Sequence, residues 1–274
     1  MMRIAIAIPA RYGSTRFPGK PLAEIGGRSM LSRVVDLARA VAQDFSGDDT
    51  DISYFVTTED QRIADHAAEI GAPCVMTGDC NTGSDRVLAA LDTLAQGGEA
   101  MPDFVLNLQG DAPFTPKSVV GAIIQAFKGD PRCEVVTPVH ALSWDDLDRL
   151  RAAKAVTPFS GTTAIIGADH KALWFSKTII PGIRKEDDLR AASDVSPVYQ
   201  HIGLYGYRVD VLKRFCALPM GVYETLEGLE QLRLLENGIS VSTVSVDIDK
   251  GEIQSGVDTP EDLARANAVI AGRG

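Results

Sequence analysis

From Arg3 to Pro9 the chain is apolar at almost every position, with no clean alternation of period two. Such a run predicts a strand covered on both faces, as in a parallel sheet. After a polar loop, Leu31, Val34, Val35, Ala38 and Val41 recur at helical spacing within the stretch from Met30 to Ala42. The pattern then repeats. Ile52 to Thr57 reads as a strand, Asp60 to Ile70 as a helix, Cys74 to Met76 as a short strand, Ser84 to Leu94 as a helix and Asp103 to Leu108 as a strand. Strands alternating with helices imply right-handed crossovers and a doubly wound, mostly parallel α/β sheet.

The middle of the chain changes character. Thr162 to Ile166 and Ala172 to Phe175 read as antiparallel strands, and Pro181 to Ser196 as a charged, mobile segment. About 160–207 is expected to be a small insertion that shapes an acceptor site within one domain spanning 1–274. A long amphipathic helix from Tyr223 to Glu236, a strand from Ile239 to Val246 and a closing helix from Pro260 to Ile270 complete the chain.

Composition narrows the function. Of the 274 residues, 45% are hydrophobic and 23% charged, which is ample for a packed core. The net charge of -10 argues against a nucleic-acid partner, because counterion release needs a broad basic face. No apolar stretch suits a signal peptide or a membrane span. Cys74, Cys80, Cys133 and Cys216 form no C-x-x-C pair, so buried thiols in a reducing cytoplasm are expected rather than zinc.

Ligands of doubly wound sheets bind beyond the carboxyl ends of the strands, so the loops after Ile8 and Leu108 are where chemistry is expected. The first, Pro9 to Pro21, holds Arg11, Arg16 and Lys20 with Ser14, Thr15, Gly13 and Gly19. Arginine forks, a compact lysine charge and closely approaching glycine backbone suit a polyphosphate. It is not a Walker loop: one residue too many separates Gly13 from Gly19, and Lys20 is followed by Pro21. A solvated basic loop is the plain alternative.

This loop, Pro-Ala-Arg-x-x-Ser-Thr-Arg-x-Pro-Gly-Lys-Pro-Leu, resembles the N-terminal signature of the CMP-Kdo synthetases, the 3-deoxy-manno-octulosonate cytidylyltransferases. Four further segments match in order: Thr82 to Arg86, Asn107 to Asp111, His201 to Arg208, and Leu229 to Arg233 followed by Gly256 to Leu263. The resemblance implies a Rossmann-like nucleotidyltransferase fold, CTP as donor, an acidic sugar as acceptor, Mg²⁺ as cofactor and a homodimer serving lipopolysaccharide synthesis. It implies that Ala10, Arg11, Ser14, Arg16 and Lys20 hold the nucleotide phosphates, and that Arg86 and Gln109 line the cytidine pocket. Asp111 and Asp258 would hold the metal and, with Arg11 and Lys20, carry the catalysis. Lys177, His201, Tyr205, Glu230 and Gln231 would contact the acceptor.

Several of these residues have structural alternatives. Asp111 beside Gly110 suits a turn, Asp258 before Pro260 suits a helix N-cap, and a single His in a strand is commonly a core residue. Two positions depart from the family pattern. Ala112 stands where the family has Glu, and Lys177 stands where it has an Arg associated with the sugar carboxylate. Lysine lacks the planar grip of arginine. A modified octulosonate such as an amino-Kdo, a sialate-like acid or a phosphonate is therefore the alternative acceptor, and a non-catalytic nucleotide-binding homologue the alternative class.

Overall fold

A computed structural model describes residues 1–13, 17–248, 256–257 and 259–271. In chain order the elements begin with β1 (Met2–Pro9), a single 3-10 turn (Lys20–Leu22), β2 (Glu24–Ile25), β3 (Arg28–Ser29), α1 (Met30–Phe45) and β4 (Thr50–Thr58). They continue with α2 (Gln61–Glu69), β5 (Cys74–Met76), α3 (Gly83–Gln96), β6 (Phe104–Asn107), α4 (Lys117–Gly129), β7 (Val135–Ser143) and α5 (Trp144–Val156). Then come β8 (Thr163–Ile166), β9 (Ala172–Ser176), α6 (Glu186–Ala192), β10 (Val195–His201), β11 (Tyr205–Arg208) and α7 (Val209–Cys216). The last are α8 (Val222–Glu227), α9 (Leu232–Glu236), β12 (Val241–Ser245) and α10 (Pro260–Ala271).

The chain forms two compact units. The first comprises Met1–Gly121, Gly206–Cys216 and Lys250–Gly274; the second comprises Ala122–Tyr205 and Ala217–Asp249. The first carries the parallel α/β architecture expected from the sequence. Its strands run in the order β5-β4-β1-β6, all parallel, with β11 next to β6. Ile4, Ile6 and Ile8 are buried together with the intervening alanines, which accounts for the unbroken apolar run of β1. Helix α1 is capped by the Ser29 hydroxyl, which accepts from Ser32 N, and it buries Leu31, Val34, Val35, Ala38 and Val41 on one face.

In the second unit β7 pairs with β12 in parallel and with β10 antiparallel, and β10, β8 and β9 continue as an antiparallel run. The strands expected at Thr162 to Ile166 and Ala172 to Phe175 are thus present and antiparallel.

Three expectations change. The segment 181–196 is not irregular: it contains α6 and the start of β10. Arg151 and Arg190 both bind Glu186, the carboxyl of which is lowered to about 2 by these hydrogen bonds. The predicted helix from Tyr223 to Glu236 is two short helices. Gly228 adopts φ +61° and ends α8, and α9 begins four residues later. The cysteines form no disulfide, and all four are half-buried rather than buried.

Candidate active site

In the first unit a cleft of about 300 Å³ opens at the carboxyl ends of β1 and β6. It is lined by Ala10, Arg11 and Lys20 from the loop after β1, Arg86 from α3, and Gln109, Gly110 and Asp111 from the loop after β6. Six of the residues singled out from sequence therefore share one cavity: Ala10, Arg11, Lys20, Arg86, Gln109 and Asp111. Ser14, Arg16 and Asp258 lie outside the described residues.

The loop after β1 is anchored at both ends. Ala10 N donates to Thr57 O (2.9 Å), and Gly19 N donates to Tyr12 O (2.9 Å). Gly19 has φ +73°, and a Cβ there would lie 3.1 Å from the Tyr12 ring. The Arg62 guanidinium also lies over that ring, 3.3 Å from the centroid, and Arg62 is itself held by a fork onto Asp60. The turn that follows delivers Lys20, 8% exposed, to the cleft.

Lys20 Nζ donates to Asp111 Oδ2 at 2.6 Å, so the lysine charge and the carboxylate, 91 residues apart, meet at the strand ends. The loops also touch through main chain: Gly110 N donates to Pro9 O (3.3 Å), and a Cβ at Gly110 would lie 2.9 Å from that oxygen. Asp111 does sit in a turn, closed by Ala112 N donating to Gln109 O (3.1 Å), but its side chain points to Lys20 rather than capping the turn.

Val257 N donates to Asp111 O (3.0 Å), which brings the chain just before Asp258 against this aspartate. The cap of α10 is supplied elsewhere. Thr259 Oγ1 accepts from Asp262 N (3.2 Å) and Asp262 Oδ2 accepts from Thr259 N (2.9 Å), a capping box that leaves the N-cap role to Thr259.

Arg86 is buried, and its Nη1 meets Glu59 Oε2 (2.6 Å) and donates to Thr77 Oγ1 (2.8 Å). Its position is thus fixed by protein groups on one side while it lines the cleft on the other. Gln109 Nε2 donates to Asn107 Oδ1 (3.3 Å). Asn81, Thr82 and Gly83 also line the cleft at the start of α3; Thr82 and Gly83 belong to a segment that carries the family resemblance without an assigned role, and Asn81 lies just outside it. Thr82 and Asp85 cap that helix reciprocally, and the T-x-x-D spacing was the available signal.

The residues that the family resemblance assigns to the acceptor, Lys177, His201, Tyr205, Glu230 and Gln231, belong to the second unit. His201 closes β10. Its ring lies 5.0 Å from the Phe175 ring and 5.3 Å from the Tyr205 ring, centroid to centroid. Burial, with the Lys177 charge adding to it, pushes the imidazole down to about 3, so His201 is neutral at physiological pH. The main chain of Lys177 is clamped from both sides. Its N–H donates to Glu227 Oε2 (2.7 Å), and its carbonyl accepts from Lys154 Nζ (2.6 Å). Ser176 Oγ donates to the other oxygen of Glu227 (2.9 Å).

Gln231 is buried, and Glu230 Oε1 lies 3.8 Å from Arg233, which forks onto the buried Glu224. None of Thr137, Lys154, Glu224 and Glu227 was singled out from sequence, since each acts on a residue distant along the chain.

A parallel α/β unit with cationic side chains and an aspartate gathered at the carboxyl ends of its strands defines a nucleotide-handling transferase class. Comparison with known proteins makes this specific. A Cytidylyltransferase family model matches residues 5–248. The chain is 44% identical to the 3-deoxy-manno-octulosonate cytidylyltransferase of Maricaulis maris, over 100% of this chain and 99% of that protein. It is 38% identical to the enzyme of the same name from Anaeromyxobacter, over 99% and 98% respectively. The solved structure of CMP:2-keto-3-deoxy-manno-octonic acid synthetase complexed with CTP matches with a TM-score of 0.81 at 33% identity, covering 99% of this chain and 100% of that one. The chain belongs to the cytidylyltransferase family, among the 3-deoxy-manno-octulosonate cytidylyltransferases.

Proposed function

We propose that this protein transfers CMP from CTP to the anomeric hydroxyl of Kdo and releases pyrophosphate. The observation that carries the reading is the convergence of Arg11, Lys20, Arg86, Gln109 and Asp111 on one cleft at the ends of β1 and β6. In it, Arg11 and Lys20 bind the triphosphate, with Ala10, Ser14 and Arg16 of the same loop, while Gln109 and Arg86 face the base. Positioning and charge neutralisation supply the rate, without a covalent enzyme intermediate.

The residues present suit a hard, oxygen-seeking cation. Asp111 Oδ1 makes no hydrogen bond among the described residues, and Gly256 leaves room beside it, since a Cβ there would stand 3.6 Å from that oxygen. Asp111 and Asp258 would hold Mg²⁺, with phosphate oxygens and water completing its shell. Bound there, such an ion would supply neutralisation of phosphate charge and a lower pKa for the attacking hydroxyl. Support for Asp258 comes from the Val257 bond to Asp111 and from the cap of α10 being filled by Thr259.

Lys177, His201, Tyr205, Glu230 and Gln231 orient the acceptor. Homodimerisation is part of the same proposal and is favoured by exposed apolar side chains on the second unit, including Val156, Phe159, Val222 and Leu226. Sedimentation at micromolar concentration tests it, and a monomer would remove it. With a nucleoside triphosphate as donor, we place the reaction in the cytoplasm.

The deciding experiment measures pyrophosphate release from CTP and Mg²⁺ with Kdo, an amino-substituted octulosonate, a sialate and a phosphonate as separate acceptors. Turnover is expected with Kdo. Turnover with another acid alone would overturn the acceptor assignment, and release with none would overturn the transferase reading.

A further inference from the structure

The hydroxyl of Thr137, the third residue of β7, holds two kinds of partner. It stands 2.8 Å from Leu204 O and 2.9 Å from His201 Nε2, and 3.4 Å from Ile202 O. A hydroxyl has a single proton, and carbonyl oxygens only accept. The Thr137 proton is therefore directed at main-chain oxygen. Toward the imidazole the hydroxyl presents a lone pair, so Nε2 must carry the hydrogen. The ring is neutral in this setting, because burial and the nearby Lys177 both oppose a second proton. A neutral imidazole protonated at Nε2 has a bare lone pair at Nδ1, and that atom makes no hydrogen bond among the described residues.

We propose that Thr137 is a positioning residue that fixes His201 in the Nε2–H tautomer, making its Nδ1 a one-way hydrogen-bond acceptor for a hydroxyl of the sugar. This rests on the acceptor-side assignment of His201 made above. It has a consequence for recognition. A lone pair attracts a hydroxyl or an ammonium and repels a carboxylate, so His201 reads the polyol part of the acceptor and leaves its acid group to cationic residues. Thr137 is completely buried and a strand residue, so its hydroxyl cannot turn away without leaving a carbonyl unpaired.

The test uses the full chain with ¹⁵N-labelled histidine, of which there are only four, His201 being assigned by its loss in His201→Ala. The expected spectrum has a pyrrole-like Nε2 and a pyridine-like Nδ1, with Nδ1 shifting on saturation by Kdo. Thr137→Val should raise KM for the acceptor by about 5- to 10-fold, the worth of one net hydrogen bond. KM for CTP should stay unchanged, which reports an intact fold. Thr137→Ser, which keeps the hydroxyl, should restore the acceptor KM to within about twofold of the parent. A protonated Nδ1 in the parent protein, or a Thr137→Val enzyme with parental acceptor KM, overturns the inference. If the tautomer is as proposed but His201→Ala leaves the acceptor KM unchanged, the acceptor-side assignment is what fails.

Discussion

Replacing Arg233 by Met should destabilise the protein measurably, and its size can be worked from the geometry. Arg233 Nε donates to Glu224 Oε2 (2.8 Å) and Nη2 to Glu224 Oε1 (2.6 Å), with the two side chains only 7% and 8% exposed. Removing one partner of such a pair leaves a buried charge uncompensated and costs about 3–5 kcal/mol. Here the carboxylate keeps one other bond, from Gly221 N (2.9 Å), which places the loss at the lower end, about 3 kcal/mol. For a chain of this size that corresponds to a fall in Tm of roughly 6–12 °C. Thermal and urea unfolding followed by circular dichroism read it directly. The double variant Arg233→Met with Glu224→Leu removes both charges, so it should lose less than the sum of the single variants. An Arg233→Met protein within about 1 kcal/mol of the parent would refute the reasoning that Glu224 is left as an uncompensated buried charge.

Other expectations follow from the same geometry. Asp111→Asn should lower kcat by at least about 100-fold while calorimetry with CTP alone gives near-parental affinity; unchanged turnover with unchanged Mg²⁺ dependence would remove the metal role. Lys154→Met and Glu227→Gln each release one side of the Lys177 main chain and should raise KM for the acceptor several-fold, about 5-fold, without moving KM for CTP. A shift in both constants would mean that these residues support the fold as a whole. Gly19→Ala forces a side chain into φ +73° against the Tyr12 ring and should cost about 1–2 kcal/mol, with weaker CTP binding as the readout.

The cleft of the first unit was largely legible because its residues sit in contiguous loops directly after strands whose apolar runs are unmistakable. Arg11, Lys20, Gln109 and Asp111 needed only the topology to bring them together. Arg86 shows the limit: its place in the cleft follows from the motif, but its anchorage on Glu59 and Thr77 does not. The helix break at Gly228 is masked in the sequence because Leu226, Leu229 and Leu232 recur every three residues through it, although only the last two are buried. Gly228 was itself the signal for a left-handed cap. Segment 181–196 misled for the opposite reason. Helix α6 buries no side chain and rests on ion pairs to Arg151, 35 residues away, so its sequence shows charge without a period.

The two units solve the problem of holding polar groups still in different ways. In the first, glycines let backbone approach backbone, and Lys20 and Asp111 neutralise each other. In the proposed complex both would change partners at little cost, because an ammonium leaving a carboxylate for phosphate and a carboxylate leaving an ammonium for a divalent cation would each keep an opposite charge close by. In the second, the acceptor-side residues are pinned indirectly: Lys177 through its main chain by Lys154 and Glu227, and His201 through its ring by Thr137. A lysine held in this way has its side chain on a fixed root. It can therefore meet a carboxylate as a point charge at a set position, which recovers through the backbone part of the precision that an arginine would provide through its planar fork. If Lys177 meets the acid group as proposed, the lysine at 177 is compatible with Kdo itself, and the clamp, rather than the identity of the cation, would set where that group lies.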